Sequence, residues 1–171
     1  MKTLLVLRHA KAEADSSSGS DFDRRLTGRG HRDSAAVGRS LGASGRPVDA
    51  ILASPALRAA ETAANVAQSA GWSLAPLADR RLYNASPGTL LQVVGEVDDA
   101  VETLLLVGHN PGLQQLIVDL AQDDPAGLRP RIGASFPTAA LAELRLSIDQ
   151  WRDAGPGCGR LTALIQPGDL E

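Results

Sequence analysis

The aliphatic run Leu4–Leu7, followed at once by Arg8 and His9, constrains this chain more than any other stretch. A run this short, bounded by charge, cannot make a helix. It reads as a strand buried on both faces, as in a sheet that helices cover on two sides. In open α/β sheets ligands bind beyond the carboxyl ends of the strands, so Arg8 and His9 fall where chemistry is usually done. The stretch also admits a plainer reading, in which His9 ends a strand and Arg8 reaches for solvent.

Downstream, the same strand-then-polar pattern recurs. The segment 12–23 is polar and rich in serine, with no apolar period, and reads as a loop beside the mouth that Arg8 and His9 form. Thr27 can cap a helix carrying Ala35, Val37 and Leu41, which Gly42 to Pro47 ends. Asp49–Ala53 is a second strand. Ser54 and Pro55 then give a cap-plus-proline signal that places Arg58 in a helix's first turn. There its guanidinium shares space with free backbone amides and the positive end of the helix dipole, which suits an anion. An Arg58–Glu61 pair on a solvated helix face is an equally good reading of those residues alone.

Trp72–Leu77 reads as a third strand, and Ser86 with Pro87 opens a helix striped by Leu90, Leu91, Val94 and Val97. Thr103–Val107 is the next strand. It runs through Gly108 to His109, with Asn110 as the expected cap of the following helix and Pro111 at its start. Residues 125–137 read as a proline- and glycine-marked loop too polar to be core. Thr138–Leu146 and Arg160–Ile165 are expected as a closing pair of strands around a glycine-rich turn at 155–159. His31 lies on a polar helix face and reads as a surface histidine.

Composition narrows the function classes. A length of 171 residues suits a single domain over 1–171 with a substantial core. With 3% aromatics and a net charge of -3, the chain has neither a stacking platform nor a basic footprint for nucleic acid. The single Cys158 excludes an intramolecular disulfide, and no Cys/His spacing resembles a metal site, so a reducing cytoplasm is expected. The opening apolar run is shorter than a signal peptide's apolar region or a membrane span, so no membrane association is expected.

Arg8 with His9, Arg58 and His109 each stand at the carboxyl end of an expected strand, and a parallel sheet would bring them to one edge. Two arginines and two histidines around one point repel one another unless an anion joins them, which points to a multiply charged oxyanion, phosphate first. The segments RHA, SPxxRAxxTA and VGHNPG, in this order and spacing, resemble the histidine phosphatase superfamily, the phosphoglycerate-mutase-like fold. RHAKA and DFDRRLTGRG resemble its SixA type of phosphohistidine phosphatase. The resemblance implies a three-layer α/β/α sandwich with a mixed, mostly parallel six-stranded sheet. It implies His9 as the nucleophile that becomes phosphorylated, Arg8 and Arg58 as phosphate clamps, His109 as the second pocket histidine, expected protonated, and Arg24 near the bound phosphate. No metal or organic cofactor is implied.

The sequence departs from that pattern at Asn84. Relatives that cleave phosphate monoesters commonly keep a glutamate or aspartate acid about there, and an amide cannot donate a proton usefully. An alkoxide leaving group needs that proton, whereas an imidazole needs much less help, so the expected partner is a phosphohistidine-bearing protein. A small phosphorylated metabolite is the alternative, with Glu13, Asp15, Asp21 or Asp23 as the acid. A third reading is a phosphate-binding protein without turnover.

Overall fold

The computed structural model describes residues 1–170. Its sheet is built from β1 (Lys2–Arg8), β2 (Ala50–Ala53), β3 (Leu77–Ala78), β4 (Thr103–Gly108), β5 (Ala121–Asp123), β6 (Leu141–Leu146) and β7 (Gly159–Ile165), in the order β3-β2-β4-β1-β6-β7-β5. β1, β2, β3 and β4 are mutually parallel, whereas β6 runs against both of its neighbours, β1 and β7. The sheet is therefore mixed and mostly parallel as expected, with one strand more than expected.

Helices α1 (Gly28–Ala43), α2 (Leu57–Ala70), α3 (Pro87–Gly95), α4 (Gly112–Leu120) and α5 (Leu128–Ala134) cover it. Strand periodicity divides β1 between two cores, because successive side chains point to opposite faces. Leu4 and Val6 pack with Leu104, Leu106, Leu90, Val94, Leu113 and Ile117 on the α3–α5 side. Leu5 and Leu7 pack with Leu105, Val107, Val37, Ala63 and Val66 on the α1–α2 side. Those two faces make the central layer of a three-layer sandwich. On the second side α1 and α2 approach closely enough that a Cβ on Gly38 would lie 2.6 Å from the Val66 carbonyl oxygen, so only glycine fits.

Thr27 caps α1 through its hydroxyl, which accepts from the Gly30 amide, and Ser86 caps α3 by accepting from Thr89. Two other expected caps do not form. Residue Ala56 precedes α2 without a side-chain cap, and the bond between Asn110 and Pro111 is cis, with α4 starting only at Gly112. In both places the polar side chain is used elsewhere: Ser54 contacts His109 and Asn110 donates to the Phe136 carbonyl oxygen.

The 125–137 segment is not an uncovered loop. It contains α5, and Leu128, Ile132 and Phe136 are buried in the core. The i, i+4 spacing of Leu128 and Ile132 marks a helical face that the surrounding glycines and prolines obscure, and Phe136 follows just beyond the helix. The expected third strand shrinks to the two-residue β3 at the sheet edge, while Trp72 and Leu74 pack against the α1–α2 core outside any strand. β5, three residues long, pairs with β7 and displaces the β6–β7 pair from the sheet edge.

Candidate active site

The parallel alignment of β1, β4 and β2 carries their carboxyl ends to one place: Arg8 pairs with Gly108, and Ala53 with Val107. Each of the next residues in the chain is a site candidate or a neighbour of one. His9 and His109 lie with ring centroids 5.2 Å apart and are 7% and 6% exposed. Arg58, at the second position of α2, is 4% exposed. The sequence-derived cluster thus forms, and an Arg58–Glu61 pair does not. Glu61 instead accepts from the Leu26 amide.

His9 is fixed from both sides through its backbone. Its amide donates to the Gly108 carbonyl oxygen at 3.0 Å, and the Ala139 amide donates to the carbonyl oxygens of Arg8 and His9. Ala139 holds a φ of 60°, a left-handed conformation that a side chain rarely adopts, and it does so beside the candidate nucleophile. From the other direction, the Ala10 amide donates to Thr62 Oγ1, whose hydroxyl donates to the Arg58 carbonyl oxygen. α2 therefore holds the His9 segment and carries Arg58 at once.

The imidazole of His9 donates from Nδ1 to the Ala10 carbonyl oxygen at 2.8 Å. That bond assigns the proton to Nδ1 and leaves the lone pair on Nε2. Burial pushes the His9 pKa down to about 4, with Arg58, Arg8 and Arg24 adding repulsion, so the ring is neutral near pH 7. His109 is pushed down to about 3, again chiefly by burial, with His9 and Arg58 next. The protein groups around His109 thus favour its neutral form over the expected protonated one. Its Nε2 lies 2.7 Å from Ser54 Oγ. Where the Ser54 hydroxyl donates to that nitrogen, His109 carries its proton on Nδ1.

Two guanidinium donors in this cluster, Arg8 Nε and Arg58 Nε, are buried with no hydrogen-bond partner among the described residues, as are His109 Nδ1 and the acceptor Asn110 Oδ1. Buried donors are almost always paired, because leaving one unmade costs roughly 1–3 kcal/mol. The two guanidinium N–H groups, joined by His109 Nδ1 where it carries the proton, fit a ligand rich in acceptor oxygens, such as a phosphoryl group.

Arg24 reaches the cluster indirectly. Its Nε donates to Asp21 Oδ1 at 3.0 Å, and Asp21 Oδ2 accepts from Arg58 and from the Tyr83 hydroxyl. Tyr83 sets its ring edge-on to His109 at 5.5 Å and to Phe22 at 5.1 Å. Tyr83, Phe22 and the link from Ser54 to His109 escape sequence reasoning, which had singled out the neighbouring Asn84. That residue is exposed, with a φ of 51°.

An α/β sandwich that sets a neutral histidine beside the half-buried Arg8 and the buried Arg58, where its parallel strands end, has the makings of a phosphoryl-binding site. The chain belongs to the histidine phosphatase superfamily, branch 1, whose family model matches residues 4–97 and so takes in Arg8, His9 and Arg58. An uncharacterized protein of Mycobacterium tuberculosis is 39% identical over 163 residues, covering 94% of this chain and 99% of its own. A structure from Nakamurella multipartitia, provisionally assigned as the phosphohistidine phosphatase SixA, superimposes with a TM-score of 0.84 at 27% identity, covering 97% of this chain and 96% of its own. One from Agrobacterium tumefaciens with the same provisional assignment gives 0.79 at 25% identity, covering 97% and 99%. Family and neighbours together support phosphatase activity.

Proposed function

We propose that this protein removes phosphate from phosphohistidine on a protein substrate, through a covalent intermediate on His9. The observation that carries this reading is the Nδ1 bond of His9 to the Ala10 carbonyl oxygen, which gives a buried, neutral imidazole with its Nε2 lone pair free. In the first step Nε2 attacks phosphorus. The bond from phosphorus to the substrate imidazole breaks, and that ring, protonated on its other nitrogen, takes the electron pair and leaves as neutral imidazole. In the second step water attacks the phosphoryl group on His9, and the Nε2–phosphorus bond breaks to release phosphate. Arg8, Arg58 and the N–H of His109 stabilise the equatorial oxygens as charge spreads over them. A bound dianion would also draw the His109 pKa upward.

The loop carboxylates support a leaving group that needs little acid. Asp21 is the one tied into the site, and the hydrogen bonds from Tyr83, Arg24 and Arg58 hold it well below the usual carboxylate range, so it has no proton to give near pH 7. Glu13, Asp15 and Asp23 are exposed. The resemblance to structures assigned as SixA points to the same substrate class.

Incubation with a labelled phosphohistidine protein, quenched rapidly into alkali where phosphoramidates survive, is expected to leave label on His9, and His9→Ala is expected to abolish both label and turnover. Label on a serine, or turnover by His9→Ala, would overturn the double displacement. Turnover of a small phosphomonoester as fast as of the phosphohistidine protein would move the assignment to a metabolite phosphatase.

A further inference from the structure

The guanidinium of Arg58 is engaged by the protein itself. Its NH1 donates to the Asp21 carbonyl oxygen at 2.8 Å and its NH2 to Asp21 Oδ2 at 3.0 Å. The same carboxylate accepts Arg24 Nε at 3.0 Å and the Tyr83 hydroxyl at 2.7 Å. Asp21 is held there from outside the pocket. It opens a short 3₁₀ turn, Asp21–Asp23, capped by Ser20. The loop base is pinned by a bridge between Ala12 and Leu26 and by the bond from the Leu26 amide to Glu61 on α2.

Of the five N–H groups of a guanidinium, two go to Asp21 and three are left, among them the unpartnered Nε–H. Asp21 thus fixes the plane of Arg58 while leaving donors for an oxyanion. It also adds a negative charge to a pocket that holds Arg8, Arg24 and Arg58 with two neutral histidines. Without that charge, a threefold positive pocket would retain the phosphate dianion that each turnover releases.

We propose that Asp21 is a positioning residue that orients Arg58 for the phosphoryl group and, by its charge, weakens retention of the phosphate product. The inference rests on the reading of His9, Arg8 and Arg58 as a phosphate site, and two substitutions separate its parts. Asp21→Asn keeps an oxygen acceptor for Arg58 but removes the charge. Asp21→Ala removes both.

Calorimetric titration of the purified protein with inorganic phosphate and with tungstate is the test, together with the product-inhibition constant of phosphate. Asp21→Asn is expected to bind both oxyanions roughly tenfold tighter than wild type, the low end of what one nearby charge does to an ionic equilibrium, because Asp21 is half exposed. The inhibition constant should fall by the same factor. Asp21→Ala is expected to bind more weakly than Asp21→Asn, since its guanidinium is no longer held. A purely structural role would weaken binding in both variants. Unchanged or weaker binding by Asp21→Asn would overturn the charge argument, and equal binding by the two variants would overturn the positioning argument. Wild type and both variants binding neither oxyanion would overturn the phosphatase reading along with this one.

Discussion

The hydroxyl oxygen of Ser54 lies 2.7 Å from Nε2 of His109 and also accepts from the Ala56 amide at 3.2 Å. That amide takes one of the two lone pairs of the hydroxyl, and where the hydroxyl donates its proton to the imidazole, His109 offers Nδ1–H to a ligand. Ser54→Ala leaves the histidine free to hold its proton on either nitrogen. We expect kcat/KM to fall about tenfold, the scale of one lost hydrogen bond of about 1.4 kcal/mol, with Ser54→Thr recovering most of it. Equal activity of wild type and Ser54→Ala would show that Ser54 does not set the tautomer.

The two histidines also make stability depend on pH. Each titrates near 6.5 when unfolded and at about 4 or about 3 when folded, so below pH 6.5 the unfolded chain binds protons that the folded one refuses. Stability is therefore lost as pH falls from 6.5, by roughly 2 kcal/mol for each histidine between pH 7 and pH 5. Asp21, depressed from 3.8, contributes stability that is lost only at lower pH. Urea midpoints measured at pH 7 and pH 5 should show the difference, and the double variant His9→Gln, His109→Gln should nearly abolish it. A slope that survives in the double variant would assign it to other groups.

Leaving-group preference follows from the absence of an available acid. General acid assistance is worth roughly 10²- to 10⁴-fold, so phosphohistidine should be cleaved faster than an unactivated sugar phosphate by about that factor, with p-nitrophenyl phosphate between them. Asn84→Asp is expected to raise monoester hydrolysis while changing phosphohistidine hydrolysis little. Aspartate suits the test better than glutamate, because the φ of 51° at this position is one that Asn and Asp tolerate. Sugar-phosphate rates equal to phosphohistidine rates would sink the argument.

In the proposed mechanism Arg8 and Arg58 would neutralise the phosphoryl charge, with an N–H of His109 as a further donor, and so the reaction should need no metal ion. Exhaustive chelation is expected to leave the rate unchanged, and vanadate to inhibit competitively. Activity lost to a chelator and restored by magnesium or zinc would contradict this.

What could be read from the sequence was local: a strand, an abrupt change to Arg-His or Gly-His, and a proline-marked helix start. The parallel geometry of β1, β2 and β4 then converts three such endings into one cluster, which is why Arg8, His9, Arg58 and His109 were legible together. Tyr83 and Phe22 were not, since each lies in a polar stretch and meets the site only through contacts far apart in sequence. Ser54 and Asn110 were misread as caps for a related reason. Both have the side chain a cap needs, but Ser54 reaches only the Ala56 amide ahead of α2 besides His109, and Asn110 donates to Phe136. α5 was missed although its Leu128 and Ile132 carry the helical interval, because four breakers at Gly127, Pro130, Gly133 and Pro137 outweighed it.

The place of β1 in the sheet ties the chemistry to assembly of the chain. Leu4 pairs with Leu104 on one side and with Leu144 on the other, so the strand that delivers Arg8 and His9 gains its neighbours from segments about a hundred or more positions downstream. Pairings of such long range close late and slowly. A polypeptide halted before residue 141 would contain Arg8, His9, Arg58 and His109 yet lack the strand that buries one edge of β1. The motif is spelled out early in the sequence, but the sheet that holds it is completed only by the last fifth of the molecule, so recovered activity after refolding would be a stringent gauge of completed topology.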